Sequence, residues 1–221
     1  TNNTDPDLSA VIAPSNSRDA AVYIIDFIPS SDTLRFNFVF ASEEYPEFVC
    51  SFNDAFGFFL SGPGITGPYT NMAQNIALVP NSTTPILVGT VNNGTSVGSL
   101  QPCVTTNSQY YIENMNVAAG SQSTYGLEFD GFTTVMTAQA VVIPCNTYRI
   151  KLAVADANDQ VYDTAVFLEA NSFGTNGLRA FTETPSLTNS IAEGCTPGVI
   201  NFELDEPADG AHVISYTLGG S

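Results

Sequence analysis

Tryptophan is absent from the 221 residues, basic residues number 5 against 22 acidic ones, and the single histidine, His212, stands close to the C-terminal end. Without Trp the commonest stacking platform for sugars is missing. That leaves Tyr45, Tyr69, Tyr110, Tyr111, Tyr125 and Tyr162 as the rings a saccharide could meet. A formal charge of -17 argues against nucleic acid or an anionic membrane surface as a partner. One histidine outside the main motifs excludes a Ser-His-Asp or Cys-His arrangement in the main domain, and with it a multi-histidine zinc site. No stretch approaches the roughly 20 apolar residues of a membrane helix, so direct membrane insertion of this segment is not expected. The chain opens at Thr1 without a signal peptide or initiator Met, which reads as a processed or excised piece.

Cysteine is sparse. Cys50, Cys103, Cys145 and Cys195 lack CxxC spacing and a nearby histidine, which favours disulfides in an oxidising compartment over a zinc cluster. Cys103 and Cys145 each follow a proline at an apparent strand end and are the favoured pair. The pairing of Cys50 and Cys195 stays open.

What the chain has in quantity is strand signal. Leu34, Phe36, Phe38 and Phe40 alternate with Arg35, Asn37 and Val39, the period of two expected of a strand with one face on a core. Similar runs predict strands at Val22 to Phe27, Leu34 to Ala41, Ala55 to Leu60, Asn75 to Leu78, Ile86 to Val91, Gly126 to Phe129, Thr134 to Ile143, Tyr148 to Ala155 and Ala165 to Ala170. No comparable helical stripe is visible. Turn clusters rich in Gly, Asn and Pro separate the runs, at residues 61–64, 67–68, 92–94 and 174–177. The fold class is therefore all-β, an antiparallel β-sandwich or jelly-roll-like domain. Charged residues make up only 12% of the chain, the usage of exported β proteins. Past Phe173 a Thr/Ser-rich connection leads to residues 194–221, which read as the opening of a second β module.

Two acidic segments interrupt this apolar pattern. FVFASEEYPEFV (Phe38 to Val49) and LAVADANDQVYDTAVFLEA (Leu152 to Ala170) place carboxylates at strand ends, where they would repel one another unless a hard cation took them as ligands. Calcium is the expected cofactor. Its candidate ligands are Glu43, Glu44 and Asp54 from one region and Asp156, Asn158, Asp159 and Asp163 from the other. Glu43 and Glu44 are strand neighbours and point to opposite faces, so at most one enters a given side unless the backbone bends. Asp156, Asn158, Asp159 and Asp163 resemble the start of an EF-hand, but the sixth position lacks Gly and the twelfth is Phe167, which excludes that loop and leaves a different calcium turn. Glu169 either faces solvent or pairs with Lys151. A carboxylate pair for glycoside cleavage, Glu43 or Glu44 with Asp156, is the surviving enzyme idea, and it needs a cleft that calcium ligation does not. The expectation is that the chain is not an enzyme.

FVFASEEYPEFV, NDAFGFFLSGPG (Asn53 to Gly64), NIALVP (Asn75 to Pro80), FDGFTT (Phe129 to Thr134) and YRIKLAVADANDQVYDTAVFLEANSF (Tyr148 to Phe173) together closely resemble the choice-of-anchor L domain. The resemblance spans most of Asp5 to Phe173. It implies an exported bacterial cell-surface protein, in many cases from Bacteroidota, and locates the chain better than it defines its chemistry. It divides the chain into a choice-of-anchor L-like sandwich over 1–178 and, over 179–221, a linker with a partial segment similar to the Ig-like or adhesin-type repeats that often follow such domains, including those of gliding-motility adhesins.

The resulting expectation is a calcium-stabilised cell-surface adhesion or binding module. Its partners would be a surface polysaccharide or protein and the neighbouring β domains of its parent chain. A structural spacer in a surface filament and a glycan-cleaving enzyme are the alternatives.

Overall fold

The computed structural model describes residues 3–94, 104–116, 122–123, 125–170, 172, 174–175, 178–183 and 199–204. A short helix, α1 (Pro6–Val11), precedes strands β1 (Ser17–Phe27), β2 (Thr33–Ser42), β3 (Ala55–Ser61) and β4 (Gln74–Asn75). Then come β5 (Tyr111–Glu113), β6 (Met115–Asn116), β7 (Gln122–Ser123), β8 (Gly131–Thr133) and β9 (Met136–Val141). The series closes with β10 (Tyr148–Ala157), β11 (Thr164–Leu168), β12 (Gly174–Thr175), β13 (Leu178–Glu183) and β14 (Val199–Leu204).

Two antiparallel sheets carry the architecture. The first runs β1-β10-β3-β4. The second is built on β2, with β11 and β12 on one edge, β8 and β9 on the other, and β5 beyond β8. The alternation seen in the sequence explains why β2 is central: Leu34, Phe36, Phe38 and Phe40 are all buried, while Arg35, Asn37 and Val39 on the other face are only half-buried. Their rings meet those of β3 across the gap. Phe36 lies 4.8 Å from Phe58, Phe38 lies 5.1 Å from both Phe56 and Phe58, and Phe40 lies 5.2 Å from Phe56, centroid to centroid. Such ring pairs add to the burial of apolar area that holds two sheets together. The all-β sandwich expected from the strand pattern is present.

β3 is buried on both faces. Phe56, Phe58 and Leu60 enter the inter-sheet core, while Ala55 and Phe59 join a second apolar cluster with Leu8 and Ile12 from the α1 region and Ala73, Ala153 and Ala155. Helix α1 was missed in the sequence, although its start signal is there. Asp5 accepts from the backbone N–H groups of Asp7 (3.0 Å) and Leu8 (2.9 Å), and Pro6 occupies the first turn, where a missing N–H is harmless.

Lys151 anchors the helix, so of the two alternatives for Glu169 the solvent-facing one holds and the pairing with Lys151 does not. Its Nζ donates to Asp5 at 2.7 Å and Asp7 at 2.6 Å, and lies 4.8 Å from the Phe59 ring centroid. Glu169 is exposed and accepts from the Asn37 amide at 2.7 Å. Lys151→Met would leave two buried carboxylates uncompensated. It is expected to lower stability by about 2 kcal/mol at neutral pH, below the range for fully buried pairs because the ammonium retains some solvent. Urea unfolding checks this, and the loss should shrink as pH falls through the range where Asp7, held below its ordinary value against the effect of burial by Lys151 and Thr70, takes up a proton.

Two expected strands are not strands. Residues 86–91 fold into a buried turn in which the Thr90 hydroxyl accepts from Leu87 N–H and donates to Pro85 O, both at 2.8 Å, and the Asn92 amide caps Val88 and Gly89 carbonyls. Side-chain bonds there replace a ladder, while Ile86, Val88 and Val91 plug the core. Residues 126–129 form an exposed turn whose Leu127 and Phe129 carbonyls accept from the Asn114 amide. Of Asn75 to Leu78 only the first residue is in a strand, and residues 174–175, expected in a turn, pair with β2.

Cys145 is free and exposed, so the expected Cys103–Cys145 disulfide is not formed. It sits in the turn after β9, with its N–H donated to Pro29 O at 3.0 Å. Cys50 is disulfide-bonded. Cys103, Cys195 and His212 lie outside the described residues. β13 and β14 pair in a two-stranded sheet of their own, so the tail strand joins one in the Thr/Ser-rich connection. Among the described residues no helix is long and apolar enough to cross a membrane.

Candidate functional site

Register brings the acidic segments together. Ala155 pairs with Ala55, Ser17 with Ala157, Ser42 with both Thr164 and Gly131, so the ends of β2 and β10 and the starts of β1, β3, β8 and β11 fall at one rim. Asp54, immediately before β3, links the two sheets there. Its Oδ1 accepts from the Ala157 N–H at 3.0 Å, and its Oδ2 accepts from the hydroxyls of Ser42 (3.2 Å) and Thr164. Burial pushes Asp54 up to about 6, against the lowering effect of those three donors.

Glu44 is the unusual group. It is 0% exposed, its backbone N–H donates to Ser42 Oγ at 3.0 Å, and neither carboxylate oxygen has a hydrogen-bond partner among the described residues. Burial, then the charges of Asp54, Asp159, Asp156 and Glu43, raise its pKa to about 8. Asp156, at the end of β10, rises to about 7 through partial burial and the fields of Asp54, Asp19, Asp163 and Asp159. Asp159 adds a buried Oδ1 without a partner among the described residues. A carboxylate stripped of water and of donors is stabilised only by a proton or a cation.

Glu43 and Asp163 are held to each other instead. The Glu43 N–H donates to Asp163 O, and the Asp163 N–H donates to Glu43 Oε2, both at 3.0 Å. Both glutamates lie in the turn after β2 and not in a strand, with Glu44 buried and Glu43 half-buried. Asn158 adopts a left-handed φ of 76° and gives its side-chain amide to Ser15 Oγ at 2.9 Å, so that amide is committed to the N-terminal loop and not to the carboxylates.

Several residues of the rim were not singled out in the sequence. Asp19 stands in a β1 irregularity between Arg18 and Ala21, with φ 44°. Arg18 is in register with Asp156. Ser42 and Thr164 orient Asp54. Asp130, before β8, is raised to about 6 by burial and by Glu47 and Glu43, which extends the acidic field along the second sheet. Only the FDGFTT motif hinted at Asp130. Nothing local marks Asp19, whose relevance depends on a strand pairing 138 positions away in the case of Arg18 and Asp156.

Among the described residues, no group of three or more acidic, His or Cys side chains stands in position to hold a metal ion. The carboxylates share a field but not a coordination shell.

A family model described as Choice-of-anchor L domain matches residues 1–174. No curated protein and no solved structure matches the chain.

Proposed function

Since the chain belongs to the choice-of-anchor L domain family, a module related to the cell surface, we propose that it is a calcium-stabilised adhesion or binding module of an exported bacterial protein. A Bacteroidota parent with a gliding or adhesive role, a sandwich unit over 1–178 and an Ig-like segment beginning in 179–221 belong to the same reading. Its ligand would be a surface polysaccharide or protein.

The observation that carries the calcium part is Glu44, fully buried among like charges with both oxygens unpartnered among the described residues. Calcium takes six to eight oxygens at 2.3–2.6 Å in flexible geometry, which suits carboxylates on turns. Binding would have to draw Glu44, Asp156 and Asp159 towards a common point, because they do not surround one now. Asp54, fixed by three donors, is the stationary member of that set.

Calcium titration followed by calorimetry and thermal unfolding tests the proposal. The ion binds only the folded form, so at 100 times its dissociation constant it should add about 2.7 kcal/mol to stability. Asp156→Ala and Asp159→Ala should weaken binding at least ten-fold and abolish most of that gain. Unchanged titrations in both variants would remove these residues from the site. A calcium-dependent rise in melting temperature with no ligand on a glycan array would assign the spacer role.

A further inference from the structure

At the end of the first sheet opposite the acidic rim, β1 and β3 finish, β10 begins, and a wide, open cleft of about 540 Å³ lies over their ends. Ten residues of β10 separate the two ends, roughly 30 Å at strand rise. Asp26, Ser61, Thr147 and Arg149 line it, with Ile65 and the Asn71–Met72 turn opposite.

Three features mark the cleft as a ligand site. The first is a fork-to-fork ion pair: Arg149 Nε donates to Asp26 Oδ1 and Nη2 to Oδ2, each at 2.7 Å, with both side chains about half exposed. This geometry uses two of five guanidinium N–H groups and leaves lone pairs on both carboxylate oxygens. The pair can therefore still donate and accept side by side. The second is accessible polarity, because the Asn71 amide and the Thr147 hydroxyl are open to solvent and make no hydrogen bond among the described residues.

The third is the backbone. Asn71 (φ 59°) and Met72 (φ 57°) are successive non-glycine residues in the left-handed region, which is costly for a methionine and concentrates at ligand sites. The surroundings hold that conformation in place. Gly67 N–H donates to Met72 O at 2.8 Å, and the Thr70 N–H and hydroxyl both donate to Asp7 Oδ1 at 2.8 Å. A Cβ on Gly67 would lie 2.1 Å from Ala73 O, so only glycine lets the two sides of the loop close. The result thrusts Met72 outward, 65% exposed, beside the cleft.

The chemistry of the lining selects the ligand. An anion finds the guanidinium already neutralised by Asp26 and meets a chain of formal charge -17. A cation would have to displace Arg149. Vicinal hydroxyls, which donate and accept from adjacent atoms, match the residual donors and acceptors, and Ile65 with Met72 offers an apolar surface for a ring's C–H face. We propose that this cleft binds a neutral saccharide. The assignment rests on the binding-module reading above but not on calcium.

The test is amide chemical-shift perturbation of the 221-residue chain in EGTA, titrated with glucose, galactose, mannose, N-acetylglucosamine and their β1–4-linked trimers. The expected result is saturable shifts at Ser61, Gly62, Asn71, Met72 and Thr147 with at least one sugar. Asn71→Gly removes the amide while suiting the left-handed backbone, and Thr147→Val removes the hydroxyl. Combined, they should weaken that sugar at least ten-fold with no loss of melting temperature. No saturable shift with any of the sugars, or binding undiminished in the double variant, overturns the proposal. Calcium stabilisation without sugar binding would overturn this inference alone, and sugar binding without calcium stabilisation would overturn only the rim assignment.

Discussion

In calcium-free buffer, Glu44→Gln is expected to make the protein more stable at pH 8 by roughly 3–4 kcal/mol, and to change it by under about 1 kcal/mol at pH 4.5. The sign follows from proton uptake. Glu44 has an ordinary value of 4.5 and a folded value of about 8, so between those limits the folded chain holds a proton that the unfolded chain has released. Stability must then fall as pH rises through that window. Asp156, raised to about 7, and Asp54, raised to about 6, add to the decline from about pH 4 upward. Thermal unfolding of parent and variant from pH 4.5 to 8.5 measures it. Millimolar calcium should restore the parent at pH 8 and leave Glu44→Gln unmoved, since the cation takes the place of the proton. A parent whose melting temperature is flat with pH, with or without the ion, would mean that Glu44 keeps its water and its charge.

Phe58→Ala is expected to cost about 3–5 kcal/mol, the range for emptying an aromatic site in a packed core. Phe58 is 1% exposed and its ring touches three others, Phe36 at 4.8 Å, Phe38 at 5.1 Å and Phe56 at 5.0 Å. Removing it unlocks β2 and β3 at once, and the tilted and edge-on rings around it cannot all collapse into the void. The urea midpoint should drop with an unchanged slope if unfolding stays two-state. An outcome under 1 kcal/mol would show that the two sheets do not rely on this aromatic layer.

The strand pattern was legible where one face is buried and the other half-open. Leu34 to Phe40 announces β2 because side-chain direction alternates with every residue, a local steric fact. It failed for Ile86 to Val91, whose apolar content equals a strand's but whose Thr90 and Asn92 side chains satisfy the backbone within the turn. It also passed over α1, six residues long, where an Asp-Pro start signal stood without a periodic stripe behind it. The candidate ligands were chosen for their carboxylates at strand ends. Glu44, Asp54, Asp156 and Asp159 do influence one another, and Glu43 and Asp163 add to that field while hydrogen-bonded to each other, whereas Asn158 gives its amide to Ser15.

Composition and local spacing were enough to establish an all-β chain of strongly negative charge with its acids at strand ends, and a resemblance over most of Asp5 to Phe173 pointed to the family whose model matches residues 1–174. Tertiary structure alone decided which acids lose their water, that Lys151 serves Asp5 and Asp7, that Cys145 stays free, and that Asp26, Arg149 and Asn71 share a cleft. The division has a simple cause. Strand propensity and alternation are set by neighbours one or two residues away. The contacts of Asp54 with Thr164 and of Glu43 with Asp163 join positions more than a hundred residues apart, and only sheet register and the packing of one sheet on the other bring those together.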